Sequence, residues 1–235
     1  MQTRSTSYAQ RRNELTTYFD HTAAAAWKAL TSTDPVSRVR ATVRAGRDSM
    51  RATLLDWLPE DLSGKTLLDA GCGTGALSVE AAARGADVVA IDVAANLVDV
   101  ARERAESESL PGSIDFRVGD MLADSPAKVD YVVAMDSLIH YSADDVRRVV
   151  TDFSYRARDR VLFTSAPWTP PLAAMHLVGR LIPHRHHRAP AIVPIRVQGL
   201  MHALDRELGS RGWHAAQTRR IKSGFYISQA VELKR

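Results

Sequence analysis

The chain is poor in cysteine, since Cys72 is the only one among 235 residues. A lone cysteine excludes an internal disulfide and a cysteine-built metal site. No apolar run approaches the roughly 20 residues that a membrane-spanning helix needs, and the stretch MQTRSTSYAQRRNE lacks the apolar core of a secretory signal. We therefore expect a cytoplasmic protein with no transmembrane segment.

Neither sign of charge is in large excess, because 31 Lys and Arg stand against 27 Asp and Glu. Five arginines fall between positions 38 and 51, and HRHHR forms a second basic cluster at 184–188. We favour solvated faces for both clusters over contacts to an anionic partner. The sequence has no lysine-rich tail, zinc finger or aromatic-studded basic strand, so no nucleic-acid partner is expected.

Strand and helix patterns alternate through the middle of the chain. Strand patterns cover 66–70, 86–92, 114–120, 129–136 and 160–167. Alternation at this spacing predicts the α/β class, with a doubly wound, mostly parallel sheet that has helices on both faces. WHAAQTRRI and GFYISQAVELK add two strand patterns joined by KSG, which predict an antiparallel C-terminal edge strand and a total of seven strands.

The remaining segments give the predicted domain organisation. Residues 1–60 precede the first strand and carry two helical patterns, so we predict an N-terminal helical arm. Residues 61–167 form the core. Residues 168–195 are too long and too apolar for a turn and are predicted to be an inserted lid after strand five. Residues 196–235 supply a helix and the edge hairpin that completes the core.

A glycine-rich turn follows the first strand pattern. GCGTGA at 71–76 satisfies the spacing glycine-x-glycine-x-x-glycine/alanine, which lets a ligand approach the backbone. Asp92 ends the second strand pattern, where an acidic residue holds ribose hydroxyls. Dehydrogenases and S-adenosylmethionine enzymes share both features, so these two features leave either class open.

Three further features favour S-adenosylmethionine. Asp69 precedes the glycines, where a carboxylate would meet the amino end of a methionine but repel a pyrophosphate. Asp120 and Met121 follow strand three, placed to accept from an adenine amino group and to pack on the ring. The third feature is the C-terminal hairpin, because an antiparallel edge strand suits a methyltransferase sheet better than an all-parallel dinucleotide-binding sheet. An isolated aspartate is usually a cap or turn residue. Several such features at the ends of consecutive strands, however, resemble class I methyltransferases. The predicted donor-binding residues are Asp69, Gly71, Cys72, Gly73, Thr74, Gly75, Asp92, Val93, Asp120, Met121 and Met135.

Longer segments carry a narrower resemblance. YFDHTAAAAWKAL, VRATVRAGRDSMRATLLDWLP, AMDSLIHY, FTSAP and SGFYISQAVEL together resemble the magnesium-protoporphyrin IX O-methyltransferase family of bacteriochlorophyll and chlorophyll biosynthesis. The resemblance covers nearly the whole chain. It implies methyl transfer from S-adenosyl-L-methionine to a propionate carboxylate of magnesium-protoporphyrin IX, with magnesium entering as part of the substrate and no protein-bound metal. It also suggests the porphyrin-binding subunit of magnesium chelatase as a partner, and loose association with photosynthetic membranes.

The same resemblance gives the acceptor-site candidates. His140 lies in the family's LIHY stretch, where the histidine is implicated in catalysis, and we expect it to orient the propionate rather than remove a proton. A lone histidine would otherwise be a cap or a core residue. Some family members carry a functional tyrosine a few residues after the arm's tryptophan. No tyrosine stands there after Trp27, so that role is either vacant or passes to Tyr18, the second catalytic candidate. The predicted substrate-binding residues are Arg44, Tyr141, Trp168 and Met175.

Two alternatives remain open from the sequence. One is a methyltransferase for another small hydrophobic or anionic acceptor, such as a quinone precursor, which would bind the donor but no porphyrin. The other is a non-catalytic carrier of S-adenosylmethionine or of a tetrapyrrole, against which the intact donor motifs and His140 argue. The histidines at 184, 186 and 187 lack the helical spacing of a metal site, so we favour a mobile solvated loop over contact with the magnesium of the substrate.

Overall fold

A computed structural model of the chain describes residues 6–21, 38–168 and 191–235. In these residues seven strands form one sheet in the order β3-β2-β1-β4-β5-β7-β6. The strands are β1 (Thr66–Ala70), β2 (Asp87–Asp92), β3 (Ser113–Val118), β4 (Val129–Ala134), β5 (Ala157–Ser165), β6 (His214–Ser223) and β7 (Tyr226–Lys234).

Helices precede the sheet, alternate with its strands and lead into the final hairpin. They are α1 (Thr6–His21), α2 (Arg38–Asp56), α3 (Ala76–Ala83), α4 (Ala95–Glu106), α5 (Ala143–Arg156) and α6 (Val197–Leu208), followed by a 3₁₀ turn at Gly209–Arg211. Ser142 caps the start of α5, where its hydroxyl accepts from the Asp145 N–H, and Asp144 and Asp145 occupy the first turn. An oxygen cap and acidic residues at this end satisfy and complement the exposed N–H groups of a helix.

Strands β1 to β5 run parallel, as the alternating pattern predicts. The interior strand β1 is buried along Leu67–Ala70. Such a strand is apolar almost throughout, because both faces of a parallel sheet are covered. β7 runs antiparallel to both β5 and β6. The predicted α/β class and its mostly parallel seven-stranded sheet are confirmed. The antiparallel strand is β7, one position in from the edge, and β6 forms the edge itself.

Two apolar clusters cover the two faces of the sheet. One contains Phe153 of α5, Leu204 of α6 and Trp213, which precedes β6, together with Tyr8 and Leu15 of α1. The other contains Met50, Leu54 and Leu55 of α2, which are fully buried. Burying such a side chain contributes about 1.5–3 kcal/mol. The boundary between arm and core that the sequence predicts at residue 60 stays a prediction. Helix α2, which precedes residue 60, packs onto the sheet.

The predicted lid begins and ends beside β5. The Trp168 N–H donates to the Ile195 carbonyl over 2.8 Å, and the Ile195 N–H donates to the Ala166 carbonyl over 2.9 Å. The two ends of the insertion are therefore joined to each other. Residues 169–190, which include Met175 and the histidines at 184, 186 and 187, lie outside the described residues, as does Trp27. Among the helices that the structure describes, none is both long enough and apolar enough to cross a bilayer.

Candidate active site

The strand order reverses between β1 and β4, and the helices after these two strands pack on opposite faces. In a doubly wound sheet such a reversal opens a crevice at the carboxyl ends of the strands. A cavity of about 940 Å³ lies there, between the glycine turn after β1, the segment after β4, and helices α1 and α2. Its size is that of a large ligand site.

The glycine turn has a backbone that only glycine adopts readily. Gly71, Gly73 and Gly75 have φ values of 86°, 54° and 77°. A Cβ on Gly71 would lie 2.3 Å from the Cβ of Ser137, and one on Gly75 would lie 2.8 Å from the Cβ of Ala101. Glycine is needed here both for the positive φ and for the close approach of the turn to its neighbours.

Asp92, at the end of β2, holds the glycine turn in place. Its Oδ2 accepts from the Gly73 N–H over 2.9 Å, and its Oδ1 accepts from the Ala94 N–H over 2.9 Å. The carboxylate therefore fixes both the turn and the start of α4. It also lines the cavity, which is the position that a ribose-binding carboxylate requires.

Asp69 lies beneath the same turn and is almost fully buried. Ser78 Oγ donates to its Oδ2 over 2.6 Å. Burial, and to a smaller extent the negative charge of Asp92, raises the pKa of Asp69 to about 7, against the opposing effect of the Ser78 hydrogen bond. A cation that enters the site would favour the ionised carboxylate, so the carboxyl group would lose its proton near neutral pH.

Asp120 follows β3 and is held by the arm. Tyr8 Oη donates to its Oδ1 over 2.8 Å, and Arg12 Nη1 donates to its Oδ2 over 2.7 Å. The Leu122 N–H also donates to Oδ1 over 2.9 Å. Tyr8, Arg12 and Met121 line the cavity, whereas Asp120 itself does not.

His140 lines the cavity on the other side, after β4. Its Nδ1 lies 3.3 Å from the carbonyl oxygen of Ala191. A carbonyl oxygen only accepts, so the proton in this contact is on Nδ1. The Phe19 ring packs edge-on to the imidazole with 6.4 Å between centroids, and Tyr18 packs edge-on to Phe19 at 5.2 Å. Tyr18 and His140 thus share one cavity with Phe19 beside both.

A basic face of α2 forms part of the cavity wall. Arg40, Arg44, Arg47 and Arg51 recur at spacings of three and four residues, which places them on one face of the helix, and all four line the cavity. Arg51 pairs with Glu80 and Asp48. Arg47 pairs with the buried Asp136 at 3.2 Å. The predicted substrate residue Arg44 lies on the same face, one helical turn from the Arg47 pair.

Asp136, which was not among the predicted site residues, lines the cavity two residues after the end of β4. Its φ of 54° is the only positive value at a non-glycine residue among those that the structure describes. Its carboxylate accepts from Tyr226 Oη at 3.1 Å and from Ser228 Oγ at 3.3 Å, and its N–H donates to Thr164 Oγ1. A backbone conformation of this kind is maintained only where its surroundings require it, and such residues cluster at functional sites.

The cavity brings together most of the residues that the sequence predicts. Those lining it are Tyr18, Arg44, Asp69, Gly71, Cys72, Gly73, Thr74, Asp92, Val93, Met121, Met135, His140 and Tyr141. Gly75 and Asp120 do not line the cavity. Trp168 also lies off the cavity, 45% exposed, with the Arg196 guanidinium 5.3 Å from its ring centroid. Met175 is outside the described residues.

The cavity residues that were not predicted from the sequence are of two kinds. Asp136 could have been found, because it ends a strand pattern as Asp92 does. Tyr8, Arg12 and Tyr226 gave no signal, since they reach the cavity only through tertiary folding. Within residues 6–21, 38–168 and 191–235 no group of three or more His, Cys, Asp or Glu side chains could hold a metal ion.

Comparisons with known proteins agree with this geometry. A family model described as "Magnesium-protoporphyrin IX methyltransferase C-terminus" matches residues 134–235, and a "Methyltransferase domain" model matches residues 67–158. A magnesium-protoporphyrin O-methyltransferase of Rhodobacter capsulatus is 46% identical over 97% of this chain and 98% of its own. The chloroplastic magnesium protoporphyrin IX methyltransferase of Arabidopsis thaliana is 32% identical over 92% of this chain and 68% of its own.

A solved structure is similar over the whole fold. The crystal structure of magnesium protoporphyrin IX methyltransferase from Synechocystis PCC 6803, with bound S-adenosylhomocysteine, superposes with a TM-score of 0.81 at 26% identity. The match covers 96% of this chain and 99% of that one. Since the identity to the Rhodobacter capsulatus relative extends over both chains almost completely, this chain belongs to the magnesium-protoporphyrin IX O-methyltransferase family of the class I S-adenosylmethionine-dependent methyltransferases.

Proposed function

We propose that the protein transfers the methyl group of S-adenosyl-L-methionine to a propionate carboxylate of magnesium-protoporphyrin IX. The products are the monomethyl ester and S-adenosylhomocysteine, in (bacterio)chlorophyll biosynthesis. The observation that carries the proposal is a single cavity that is lined both by the glycine turn and Asp92 and by His140 and the arginines of α2. Donor and acceptor sites are therefore contiguous, as direct methyl transfer requires.

The donor side fits S-adenosylmethionine. The glycines at positions 71 and 73 let a ligand approach the backbone, Asp92 is placed for ribose hydroxyls, and Asp69 is placed for the amino end of the methionine. Val93, Leu97 and Met121 supply apolar surface for the adenine. When bound, this co-substrate supplies a methyl group on a positively charged sulfur.

The acceptor side needs no strong base. A propionate has a pKa near that of glutamate, roughly 4.3, so it is already ionised at neutral pH. What remains is alignment of the carboxylate oxygen with the methyl carbon and exclusion of water. We assign that alignment to His140 and the cationic face of α2 around Arg44. Tyr18 and Phe19 cover the reacting position on the side of the arm.

The deciding experiment is incubation of the protein with S-adenosylmethionine and magnesium-protoporphyrin IX, with detection of the monomethyl ester by mass. The matched control acceptor is magnesium-protoporphyrin IX dimethyl ester, which has no free carboxylate and should not gain mass. Donor binding without formation of the ester would indicate a methyltransferase that acts on another acceptor. Binding of donor or porphyrin with no transfer to any acceptor would favour a carrier.

Two finer proposals concern partners and location. We infer a contact with the porphyrin-binding subunit of magnesium chelatase, a cytoplasmic location and loose association with photosynthetic membranes. The support is the family resemblance, together with Phe225, which is 75% exposed beside the cavity and offers an apolar contact surface. Co-elution of the two proteins in gel filtration with bound porphyrin tests the first of these, and separate elution contradicts it.

The donor site gives a direct prediction at Asp92. Asp92→Ala should weaken S-adenosylhomocysteine binding by about 1.5–3 kcal/mol, the range for a lost hydrogen bond to a charged group. Titration calorimetry measures the change, and Asp87→Ala, at the exposed start of the same strand, is the matched control. Unchanged affinity in Asp92→Ala would contradict the ribose assignment.

A second donor-site prediction concerns pH. Because the pKa of Asp69 is raised to about 7, its carboxyl carries a proton in the empty site below that pH. The donor's ammonium group favours the ionised carboxylate, so binding below pH 7 must release this proton. Affinity should therefore fall as pH decreases below about 7, approaching about tenfold per pH unit, and should level off above it.

Calorimetry in buffers of different ionisation enthalpy counts the released proton directly. Asp69→Asn is the matched variant, because it keeps the shape of the side chain but cannot titrate. We expect it to remove most of the pH dependence of donor affinity between about pH 5.5 and pH 7, the range just below the pKa of about 7. Proton release that persists in Asp69→Asn would assign the titration to another group.

A further inference from the structure

The hairpin turn between β6 and β7 packs against helix α2 beside the cavity. Ser223 Oγ donates to the Thr42 carbonyl over 2.8 Å. A Cβ on Gly46 would lie 2.5 Å from the Tyr226 ring, so the missing side chain at position 46 lets this ring approach the helix closely. The contact between α2 and β7 therefore lies where Tyr226 forms part of the cavity wall.

This contact brings two side chains to Asp136. Arg47, the residue after Gly46, pairs with its Oδ2 at 3.2 Å, and Tyr226 Oη donates to its carboxylate over 3.1 Å. Burial, followed by the charge of Asp136, raises the pKa of Tyr226 above its ordinary value, so the phenol keeps its proton and donates. Thr164 Oγ1 of β5 donates to Oδ1 over 3.2 Å. Groups of α2, β5 and β7 thus hold one carboxylate.

The ion pair with Asp136 distinguishes Arg47 from its neighbour Arg51 on the basic face. Arg51 pairs with Glu80 and Asp48, whose carboxylates are about half exposed. Arg47 pairs with a carboxylate that is almost fully buried, and both members of this pair line the cavity. The Arg47 guanidinium is therefore fixed in the cavity wall by a partner that does not move with solvent.

Asp136 lies four residues before His140 on the segment that follows β4. This segment carries one group that can bind a carboxylate, the imidazole, and it fixes a second, the guanidinium of Arg47. A guanidinium has five N–H donors in a planar fork, so it can bind a second carboxylate while it keeps the first. The proposed acceptor has two propionates, which is one for each group.

The two propionates place different demands on a cation. Methyl transfer removes the charge of the propionate that reacts, so an ion pair there weakens on the way to the transition state. An ion pair with the other propionate keeps its strength, and it fixes the macrocycle during the step. We therefore expect a rigidly held cation at the propionate that does not react.

We propose that Arg47 binds the propionate that is not methylated, and that Asp136 and Tyr226 are positioning residues that hold its guanidinium. This inference rests on the proposed function, because it takes the acceptor to be a porphyrin with two propionates. It makes Arg47 a specificity-determining residue, which favours the dicarboxylate porphyrin over a monoester. A second methylation is disfavoured for the same reason, since the ester of the product would then have to lie at Arg47.

The test changes the protein and the acceptor together. The altered acceptor is the regioisomer of the product, in which the propionate that reacts is free and the other is already a methyl ester. For the unaltered chain its kcat/KM should be at least about tenfold below that of magnesium-protoporphyrin IX, because an ester offers no charge to a guanidinium. Arg47→Met should lose about the same factor with magnesium-protoporphyrin IX and little with the ester. Instability of the variant would lower both values alike, so their ratio reports the contact itself.

A second variant and a binding measurement support the ratio. Arg47→Lys keeps the charge beside Asp136 but loses the planar fork, so its ratio should lie between those of the unaltered chain and Arg47→Met. Fluorescence titration of magnesium-protoporphyrin IX with S-adenosylhomocysteine present, so that no methyl group can be transferred, should show binding about tenfold weaker in Arg47→Met. Arg147→Met is the matched control: Arg147 pairs with Glu207 and does not line the cavity, so both measurements should stay unchanged.

Tyr226→Phe tests the positioning role, since it removes one hydrogen bond to Asp136 and keeps the ion pair. Binding of magnesium-protoporphyrin IX should weaken about threefold in the unaltered background. In the Arg47→Met background the same change should have an effect of less than about 1.5-fold. Equal losses in both backgrounds would mean that Tyr226 acts independently of Arg47, and they would overturn its positioning role.

The remaining outcomes separate this inference from the proposed function. If Arg47→Met keeps the ratio of the unaltered chain, the guanidinium does not contact the second propionate and the inference is overturned. A loss of S-adenosylhomocysteine affinity with that ratio unchanged would overturn it too, by assigning the ion pair to the donor. Absence of methyl transfer to magnesium-protoporphyrin IX by the unaltered chain would instead contradict the proposed function.

Discussion

Replacing His140 by alanine should lower the turnover of methyl transfer by at least about 100-fold through lost alignment, with donor affinity barely altered. His140 lines the cavity but is not among the residues predicted to bind the donor, so its loss removes no predicted donor contact. Single-turnover measurements at saturating donor, with calorimetry of donor binding, separate the two quantities. His202→Ala removes an exposed histidine of α6 and is the matched control.

The contact of Nδ1 with the Ala191 carbonyl refines this prediction. Since Nδ1 contacts that carbonyl, we assign the propionate to Nε2. The amide nitrogen of glutamine imitates Nε2, whereas that of asparagine imitates Nδ1. His140→Gln should therefore recover more of the lost turnover than His140→Asn.

The same pair of variants tells orientation from proton removal. A general base would be rescued by neither amide, because neither accepts a proton near neutral pH. Full turnover in His140→Ala would contradict both roles and return this residue to a cap or a core position.

Asp136→Ala should destabilise the fold by about 3–5 kcal/mol, the cost of removing one partner from a buried ion pair. The carboxylate is 4% exposed. It binds Arg47, Tyr226, Ser228 and Thr164, so its loss removes one interaction from each of four polar groups in α2, β5 and β7. Urea unfolding gives the change in free energy. Asp115→Ala removes an exposed carboxylate paired with Arg117, and a change within about 0.5 kcal/mol is expected there.

A double-mutant cycle locates the origin of the loss. Arg47→Met removes the cation, and the Asp136→Ala and Arg47→Met substitutions together should cost clearly less than the sum of the two single changes. Additive losses would show that the pair contributes little. Asp136→Asn keeps the positive φ, which asparagine tolerates, and isolates the effect of the charge.

The parts of the molecule that the sequence predicts well are those with local signals. Strands β1 to β5 follow from apolar runs bounded by helical periodicity, and the glycine turn follows from its spacing. Asp69 and Asp92 could be placed because the carboxyl ends of parallel strands meet at one edge of the sheet. The sequence therefore predicts that these residues lie at one cavity, and their role in donor binding stays a prediction.

The residues that the sequence does not place depend on contacts between distant segments. Tyr8 meets Asp120 across 112 positions, and Tyr226 meets Asp136 across 90. A helical pattern gives the face of α1 that is apolar but not the element that it covers. Asp120 could be predicted at a strand end for this reason, while its engagement by the arm could not.

The outermost strands bear on how the protein behaves at high concentration. β6 is an edge strand, and Arg219, Arg220 and Lys222 along it are exposed. β3, at the opposite edge, carries the exposed Asp115 and its partner Arg117. Charged side chains on sheet edges oppose strand-to-strand pairing between molecules. The sheet thus carries its own protection against aggregation at both edges, and replacing the three basic residues of β6 by threonine would promote self-association without altering the cavity.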